Sequence, residues 1–159
     1  MNDAAPRTLY VSRKLVNAAE FLAWAKEQGF ATTLPANDLH VTITYSRTAL
    51  DWMKVESAWD GESGQLVVSP GGARVVEPLG DKGAVVLLFN SSDLSWRHRQ
   101  ICNAGASHDF EDYQPHVTIT YVRGDLDLSK VEPYRGKLVF GPEIFAELDE
   151  GWAEKLTEA

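Results

Sequence analysis

A six-residue segment that occurs twice constrains the fold of this chain more than any other feature of the sequence. The segment HVTITY runs from His40 to Tyr45 and recurs unchanged from His116 to Tyr121, which is 76 positions later. Gly29 and Gly105 keep the same separation, and each stands eleven residues before its histidine. Matching markers at a fixed offset predict two copies of one supersecondary unit.

The first copy is predicted to run as strand, helix, loop and strand. Residues 8–13 have the β-branched and aromatic character of a short strand. Asn17, followed three residues later by Glu20, resembles a capping box at the start of a helix, and Gly29 suits the left-handed position that ends one. The HVTITY segment then forms the second strand.

The second copy is predicted to follow the same order. Residues 84–89 are a continuous apolar run, which is typical of a buried strand. Ser92 or Asp93 is expected to cap the next helix, and Gly105 to end it. Asn17 and Asp93 are also 76 positions apart, which adds a third marker to the repeat.

The segments outside the two copies are predicted to be further strands. Residues 64–78 are typical of a strand interrupted by Pro70-Gly71-Gly72, and residues 136–149 of a strand broken at Gly141-Pro142. No linker, low-complexity stretch or charge block separates the halves. We therefore expect an α+β fold, in which residues 1–159 form a single domain of two lobes around a central cleft, related by an approximate two-fold axis.

Strand alternation determines which side chains of the repeated segment act together. It assigns His40, Thr42 and Thr44 to one face and Val41, Ile43 and Tyr45 to the other. The apolar face belongs in the core, so the polar face is left for the cleft. A two-fold axis would bring His116 and Thr118 to the same cleft from the opposite side.

Two imidazoles and two hydroxyls suit a displacement at phosphorus. Imidazole titrates at about pH 6.5, so one ring can accept a proton from the attacking oxygen while the other donates one to the leaving oxygen. A threonine hydroxyl can donate a hydrogen bond to a phosphoryl oxygen. A single His-x-Thr is most often structural, but packing alone requires no repeated histidine. A duplicated structural strand is the remaining alternative.

The other histidines and the cysteine are predicted to have no catalytic role. His98 falls on the apolar face of the second helix and is expected to pack in the core, and His108 is expected to be solvated. Cys102 has no histidine partner close to it in sequence and is expected to be buried packing. No Cys pair or His-x-x-His spacing supports a metal site at His40 and His116, and the sequence has no glycine-rich nucleotide loop. We therefore expect neither a metal nor a cofactor.

The charge balance limits the class of ligand. Fifteen Lys and Arg against 23 Asp and Glu give a net charge of −8, which disfavours long nucleic acid but leaves a small phosphate ligand possible. Cys102, the only cysteine, excludes an internal disulfide and favours a reducing compartment. No secretory signal or run of about 18 apolar residues is found, so a membrane partner is not expected.

The paired motifs resemble the signature of a known superfamily. His40-Val41-Thr42-Ile43 and His116-Val117-Thr118-Ile119 match the two His-Φ-Thr-Φ motifs (Φ apolar) of the 2H phosphoesterases in their pairing and separation. The resemblance implies a bilobal fold and metal-independent cleavage of cyclic phosphodiesters or 2′,3′-cyclic phosphate ends. It also implies that the two histidines are the acid–base pair and that the two threonines bind phosphate.

Within the superfamily, the chain resembles the anti-CBASS nucleases of phages, the Acb1-like group. The similarity rests on Leu9-Tyr10-Val11-Ser12-Arg13-Lys14, on Phe21-Leu22-x-Trp24-Ala25 and on the acidic-aromatic stretch from Glu147 to Trp152. It implies hydrolysis of cyclic di- and trinucleotides, which are bacterial antiviral signals, in the cytoplasm of an infected host.

Three further residues are candidates for substrate binding. Aromatic rings stack on bases with about 1 to 3 kcal/mol each, which suits Tyr10 beside the cleft and Trp152 on a tail that could close over the substrate. Glu147 belongs to the same acidic-aromatic tail. Arg13 or Lys14 would offset the charge of the ligand, although both residue types are normally at the surface.

Two alternative functions remain open. One is a 2′,3′-cyclic phosphodiesterase or 2′-5′ ligase acting on RNA ends, which the acidic exterior disfavours. The other is a sponge that sequesters cyclic nucleotides without cleaving them, which would need no pair of proton-transferring groups. The sequence leaves open the preferred bases and ring size, the assignment of acid and base, and the oligomeric state.

Overall fold

The computed structural model describes residues 6–55, 64–107 and 113–148, which contain seven strands and two α-helices. The strands are β1 (Arg7–Leu15), β2 (His40–Leu50), β3 (Leu66–Val68), β4 (Arg74–Leu79), β5 (Ala84–Phe89), β6 (His116–Thr120) and β7 (Leu138–Ala146). Helix α1 (Ala18–Glu27) connects β1 to β2, and α2 (Ser92–Asn103) connects β5 to β6. The predicted α+β class is confirmed, and the order strand, helix, strand is found before and through each HVTITY segment.

The strands of the described residues form one antiparallel sheet in the order β3-β7-β1-β2-β6-β5-β4. The two HVTITY strands, β2 and β6, are neighbours in its middle and are joined at the pair Val41–Val117. Residues 64–78 do not form one interrupted strand. Instead, the Pro70-Gly71-Gly72 turn separates β3 from β4, which lie at opposite edges of the sheet.

The position of these two edge strands requires the sheet to curve. Six gaps of about 4.8 Å would separate the edges of a flat sheet by about 29 Å. The chain from Val68 to Arg74 reaches about 22 Å at most, so the sheet must bend towards itself. Arg74 supports the bend, because its guanidinium donates to the Ser69 carbonyl at 3.0 Å and to the Tyr134 carbonyl at 2.7 Å.

Both helices pack on one face of the sheet and bury its apolar side chains. Phe21 and Ala25 of α1, and Leu94 and Ile101 of α2, are fully buried. They form one cluster with the apolar face of the central strands, which includes Leu9, Val11, Val41, Ile43, Val85, Leu87, Val117 and Ile119. Within the described ranges, no helix is long and apolar enough to cross a membrane.

A buried network of charged side chains ties β1, β7 and α2 together on this face. Glu143 of β7 accepts two hydrogen bonds from Arg97 of α2, at 2.8 and 2.9 Å, and lies 4.0 Å from Arg13 of β1. Arg13 is 1% exposed and donates to the Gly141 carbonyl at 2.7 Å. It therefore lies on the core side of β1, which corrects the expectation that it could offset the charge of a ligand. Removing one member of a buried ion pair typically costs about 3–5 kcal/mol.

Strand β7 runs through Gly141-Pro142, where the sequence predicts a break. Leu15 pairs with Phe140 and Arg13 with Glu143, so β7 has one residue more than β1 between these two pairs. The extra residue makes a β-bulge, and bulges are among the few places where a strand accommodates proline.

The start of α1 differs from the predicted capping box. Asn17 precedes the helix, but its side chain forms no capping hydrogen bond. The side-chain Nδ2 of Asn17 donates to the Lys137 carbonyl, and its side-chain Oδ1 accepts from the Val139 N–H. These two hydrogen bonds connect the start of the helix to β7 and the residue before it. Gly29 has the predicted left-handed conformation, with φ +100°.

The start of α2 also differs from the prediction. Ser91, rather than Ser92 or Asp93, caps the helix, because its Oγ accepts from the Leu94 N–H at 3.2 Å. The residues that precede the two helices are therefore 74 positions apart, so the third marker of the repeat is wrong. Gly105 ends α2 in the left-handed conformation, as predicted, with φ +124°.

Both HVTITY strands carry a β-bulge at the same position, which alternation does not predict. Ile43 is the extra residue opposite β1, and Ile119 is the extra residue opposite β5. After the bulge in β2 the faces exchange, so that Thr44 is 1% exposed and Tyr45 lies on the polar face, paired with Tyr10. The predicted faces of Thr44 and Tyr45 are therefore wrong, because one extra residue reverses the alternation.

The buried threonines after the two bulges provide a test of this arrangement. Thr44 Oγ1 has no hydrogen-bond partner among the described residues, whereas Thr120 Oγ1 accepts from the Val122 N–H at 3.0 Å and donates to the Val122 carbonyl at 3.3 Å. An unpaired buried hydroxyl costs about 1–3 kcal/mol, and a paired one stabilises by about 1 kcal/mol. We expect Thr44→Val to raise the free energy of unfolding and Thr120→Val to lower it by about 1 kcal/mol, measured by urea denaturation. Equal losses in the two variants would contradict this difference.

Candidate active site

The two motifs meet on the polar face at the middle of the sheet. The backbone pair Val41–Val117 is antiparallel, so one step to either side His40 faces Thr118 and Thr42 faces His116. Side chains opposite each other on neighbouring strands have Cβ atoms about 5 Å apart. All four polar side chains are half-buried rather than packed in the core. The expected convergence of two imidazoles and two hydroxyls is therefore achieved by adjacent strands.

Both histidines are oriented by the same backbone contact. His40 Nδ1 donates to the Asp38 carbonyl at 2.7 Å, and His116 Nδ1 donates to the Gln114 carbonyl at 3.0 Å. A carbonyl can only accept, so in each ring the proton is on Nδ1 and Nε2 carries the lone pair when the ring is neutral. In both copies the nitrogen that can exchange a proton with a ligand is therefore Nε2.

Tyr10 contacts the first motif directly, beside the cleft where the sequence analysis placed it. Its hydroxyl lies 2.9 Å from His40 Nε2 and 3.2 Å from Thr42 Oγ1. With His40 neutral, the hydroxyl donates to Nε2 and can accept from Thr42. Burial raises the pKa of Tyr10, so that its hydroxyl stays protonated at neutral pH.

The environment of His40 favours its neutral form. Burial is the main cause that lowers the pKa of His40, and the nearby His116 lowers it further. The hydrogen bond to the Asp38 carbonyl acts in the opposite direction but is the smaller effect. At neutral pH, His40 Nε2 is thus available as a proton acceptor.

A cavity of about 380 Å³ opens beside His40 on the polar face. Its wall includes Tyr10, Ser12 and Lys14 of β1, Asn37 and Asp38 before β2, and Tyr121 after β6. The volume is within the range of sites that hold small molecules. The aromatic rings and the polar groups of this wall suit a ligand with both flat and charged parts.

The two motifs have different neighbours across the outer strand pairs. The residues opposite His40 and Thr42 on β1 are Lys14 and Ser12. The residues opposite His116 and Thr118 on β5 are Leu88 and Val86. One side of the site is therefore polar and cationic, and the other is apolar.

A larger cavity, of about 470 Å³, lies on the other face of the sheet beside α2. Arg13, Arg97 and Glu143, which form the buried charged network, line it. None of the four motif residues lies along its wall. Its charged groups are engaged in holding the strands and α2 together, so the smaller cavity at His40 is the candidate site.

Some of the predicted site residues lie elsewhere. Glu147 is exposed just beyond the end of β7 and does not line the cavity at His40. Trp152 and His108 lie outside the described residues. His98 is buried, as predicted, but Cys102 does have a histidine partner: its Sγ lies 3.6 Å from His98 Nε2, one helical turn away. This contact corrects the expectation that Cys102 has no partner.

Two tyrosines of the site were missed by the sequence analysis. Tyr121 lines the cavity at His40, and the Tyr45 ring meets the Tyr10 ring edge-on with centroids 6.0 Å apart. Both are the last residue of an HVTITY segment, and the bulges turn them to the polar face. The presence of tyrosine at the same position of both segments was the sequence signal that could have identified them. Simple strand alternation instead assigned Tyr45 to the core.

Carboxylates and other metal ligands are sparse around the motifs. In the part of the chain that the structure describes, no three His, Cys, Asp or Glu side chains lie close enough together to hold a metal ion. The groups that meet at the site are imidazoles, hydroxyls, one lysine and, in the cavity wall, the Asn37 amide and the Asp38 carboxylate. The imidazoles suit proton transfer, and the hydroxyls and the lysine suit anion binding.

Comparison with known sequences identifies a family. The family model described as "Anti-CBASS protein Acb1" matches residues 7–155. The Acb1 protein of Caulobacter sp. (strain RHG1) is 71% identical over 157 residues, which cover 99% of this chain and 25% of that protein. The Acb1 protein of Yersinia phage phiR1-RT is 32% identical over 158 residues, which cover 97% of both chains. This chain thus spans about a quarter of the length of the Caulobacter relative and nearly all of the phage relative.

Comparison with solved structures identifies the fold. The apo structure of E. coli LigT superposes with a TM-score of 0.56 at 12% identity, covering 91% of this chain and 95% of LigT. At this identity the similarity shows the fold alone, which is an α+β fold like that of LigT. With the family model matching most of the sequence, the chain belongs to the Acb1 family of anti-CBASS proteins.

Proposed function

We propose that this protein is a phosphodiesterase that cleaves 3′-5′ bonds of cyclic di- and trinucleotides without a metal ion. In the cytoplasm of an infected bacterium, this reaction would remove the signal on which CBASS immunity depends. The observation that carries the proposal is the placement of His40 and His116, each with Nδ1 held by a carbonyl, on adjacent strands beside two threonines. Membership of the Acb1 family supports the same activity.

The proposed reaction uses the ribose 2′-OH of the substrate as nucleophile. His40 Nε2 takes the 2′-OH proton as the oxygen attacks phosphorus, and His116 protonates the departing 5′-oxygen. The products are a linear nucleotide with a free 5′-OH and a 2′,3′-cyclic phosphate. The 2′-OH lies next to phosphorus in the same nucleotide, which provides the proximity advantage. Thr42 and Thr118 donate hydrogen bonds to the phosphoryl oxygens.

The assignment of His40 as the base rests on its surroundings. Burial lowers its pKa and keeps the ring neutral, and Tyr10 already donates a hydrogen bond to the Nε2 lone pair. The substrate 2′-OH would replace the Tyr10 hydroxyl at this nitrogen. His116, whose neighbour on β5 is Leu88, would then be the group that protonates the departing 5′-oxygen.

We also propose that the two strand–helix–strand units form two lobes related by an approximate two-fold axis. The bulges at Ile43 and Ile119 and the identical histidine–carbonyl contacts support this relation. Such a relation would place the phosphate near the axis, where each copy contributes one histidine and one threonine.

Binding of the nucleotide would use the cavity beside His40. Tyr10 and Tyr121 offer rings for base stacking, and Lys14, opposite His40, offers a positive charge for the phosphate. Glu147 and Trp152 stay proposed substrate contacts at the tail. The overall charge of −8 favours a small ligand over a folded RNA.

An RNA-end phosphodiesterase and a cyclic-nucleotide sponge are the alternatives to exclude by assay. The RNA-end enzyme would act on linear 2′,3′-cyclic phosphates faster than on cyclic dinucleotides. The sponge would bind cyclic dinucleotides and release them unchanged. Chromatography of both substrate types after incubation distinguishes all three functions.

We expect His40→Ala and His116→Ala each to lose about 10²- to 10⁴-fold in kcat, the usual contribution of one general acid or base. Thr42→Ala and Thr118→Ala should lose less, because each removes one neutral hydrogen bond. Thr48→Ala, at an exposed position near the far end of β2, is the control and should keep full activity. Threonine variants more damaged than histidine variants would contradict these roles.

The pH dependence of kcat/KM should be bell-shaped around neutrality. The fall in kcat/KM on the acidic side gives the pKa of the catalytic base. The base must be neutral to accept a proton, so activity is lost as the pH drops through that pKa. Because burial lowers the pKa of His40, the midpoint of this fall should lie below about 6.5, the ordinary value of histidine. A midpoint above that value would show that His40 is not the base.

The decisive test of the reaction compares a cyclic dinucleotide with its analogue that carries 2′-deoxyribose at the cleaved position. The ribose form should be cleaved in the presence of EDTA to a product with a 2′,3′-cyclic phosphate, and the deoxy form should resist. Equal cleavage of both would mean that water attacks phosphorus. Loss of activity in EDTA that zinc or manganese restores would overturn the metal-independent mechanism.

A further inference from the structure

The carbonyl groups of Thr42 and Ile43 are hydrogen-bonded by two side chains from outside β2. Tyr113 OH donates to the Thr42 carbonyl at 2.7 Å, and His98 Nδ1 donates to the Ile43 carbonyl at 2.6 Å. In the described residues, the register between β2 and β6 contains the single pair Val41–Val117. The two side chains therefore give the Thr42 and Ile43 carbonyls hydrogen-bond partners that the pairing of β2 with β6 does not supply. Buried backbone carbonyls need such partners.

The two side chains form one stacked unit. The ring centroids of His98 and Tyr113 are 4.3 Å apart, and the ring planes differ by 8°. His98 is 8% exposed, and Cys102 Sγ lies 3.6 Å from its Nε2. Burial raises the pKa of Tyr113 well above its ordinary value, so the hydroxyl keeps the proton that it donates. Both donors are thereby fixed in place.

This unit links the elements that carry the two motifs. His98 belongs to α2, which precedes β6, and Tyr113 lies three residues before His116. Both side chains bind the backbone of β2 at Thr42 and at the bulge residue Ile43. Two hydrogen bonds and one ring stack therefore connect α2 and the segment before the second motif to the backbone of the first motif.

We propose that His98 and Tyr113 are positioning residues, which hold the backbone of the first motif in register with the second and so fix Thr42 relative to His116. The proposal rests on the proposed phosphodiesterase function. His98 is buried, and both polar groups are engaged by carbonyls of β2, so both residues would act through the backbone and not by contact with substrate.

The second motif has no equivalent unit at the matching positions of the repeat. The residues 76 positions before His98 and Tyr113 are Leu22 and Asn37. Leu22 has no polar side-chain atom, and Asn37 lines the cavity beside His40. Support of this kind is therefore found at the first copy, whose strand carries the unpaired Thr44 hydroxyl.

The Tyr113→Phe variant removes one hydroxyl and keeps the stacked ring. We expect kcat for a cyclic dinucleotide to fall about tenfold with KM changed less than twofold, since a shift of about 1 Å in reacting groups can cost 10²-fold. Substrate contacts are unaltered, so the loss should fall on kcat. Steady-state kinetics, with the product separated by chromatography, measures both constants.

Tyr134→Phe is the matched control. The Tyr134 hydroxyl also reaches a backbone carbonyl, that of Lys137 at 3.2 Å, and lies 3.3 Å from Glu20 Oε2, and its side chain is buried on the helix side of the sheet. Both variants should lower the melting temperature by a similar amount, but Tyr134→Phe should keep the kcat of the wild-type protein. A purely structural role of Tyr113 would make the two variants equal in kcat.

Substitutions of His98 give an independent readout. His98→Leu removes the donor to the Ile43 carbonyl, and His98→Gln keeps an N–H that can reach it. We expect His98→Gln to recover a large part of the kcat lost in His98→Leu. Cys102→Ala, which removes the thiol next to Nε2, should leave kcat unchanged because the Nδ1 bond persists.

The outcomes separate this inference from the proposed function. Turnover by the wild-type protein with unchanged kcat in Tyr113→Phe and in His98→Leu would overturn the positioning role and leave the phosphodiesterase function standing. An absence of turnover by the wild-type protein would overturn both. A tenfold loss in Tyr113→Phe, full activity in Tyr134→Phe and recovery in His98→Gln would establish the positioning role.

Discussion

The contact between the two HVTITY strands determines the geometry of the site. Strands β2 and β6 are joined at the pair Val41–Val117, which lies between the histidine and the threonine of each motif. Antiparallel pairing at this point sets each histidine opposite the threonine of the other copy. A register shift of one residue would turn the polar side chains towards the helices, and a shift of two would separate the motifs. The apolar side chains of both strands are buried under the helices, which opposes a shift of one residue, and the proposed role of the His98–Tyr113 stack is to keep the same register.

The repeat, the histidine–threonine motifs and the helix ends at Gly29 and Gly105 could be predicted because each depends on residues close together in sequence. The bulges could not, since an extra residue in a strand depends on how its partner strand is paired. The burial of Arg13 was missed for a similar reason, because its carbonyl and carboxylate partners are on β7, about 130 positions away. The cap of α2 was wrong by one residue, because several adjacent residues there have suitable side chains.

Two identical segments have unlike surroundings, and the proposed acid–base reaction would depend on this difference. On β1 the first motif faces Ser12 and Lys14, and Tyr10 binds its histidine. On β5 the second motif faces Val86 and Leu88. Two equal imidazoles in equal environments would titrate together, whereas acid–base catalysis needs one neutral and one protonated ring. The strands that flank the repeat break the equivalence that the repeat itself would impose.

The strand order also shows that the two copies are not independent folding modules. β3 comes from the first half of the chain but pairs with β7 of the second, and β4 pairs only with β5 within the described residues. Tyr10 of β1 and Ala146 of β7, which are 136 positions apart in sequence, pair as neighbours within the sheet. Forming a contact between residues so far apart in sequence first costs the entropy of closing a long loop, so such contacts form slowly during folding. A half-chain would leave several strand edges without partners, so each half depends on the other for a stable sheet.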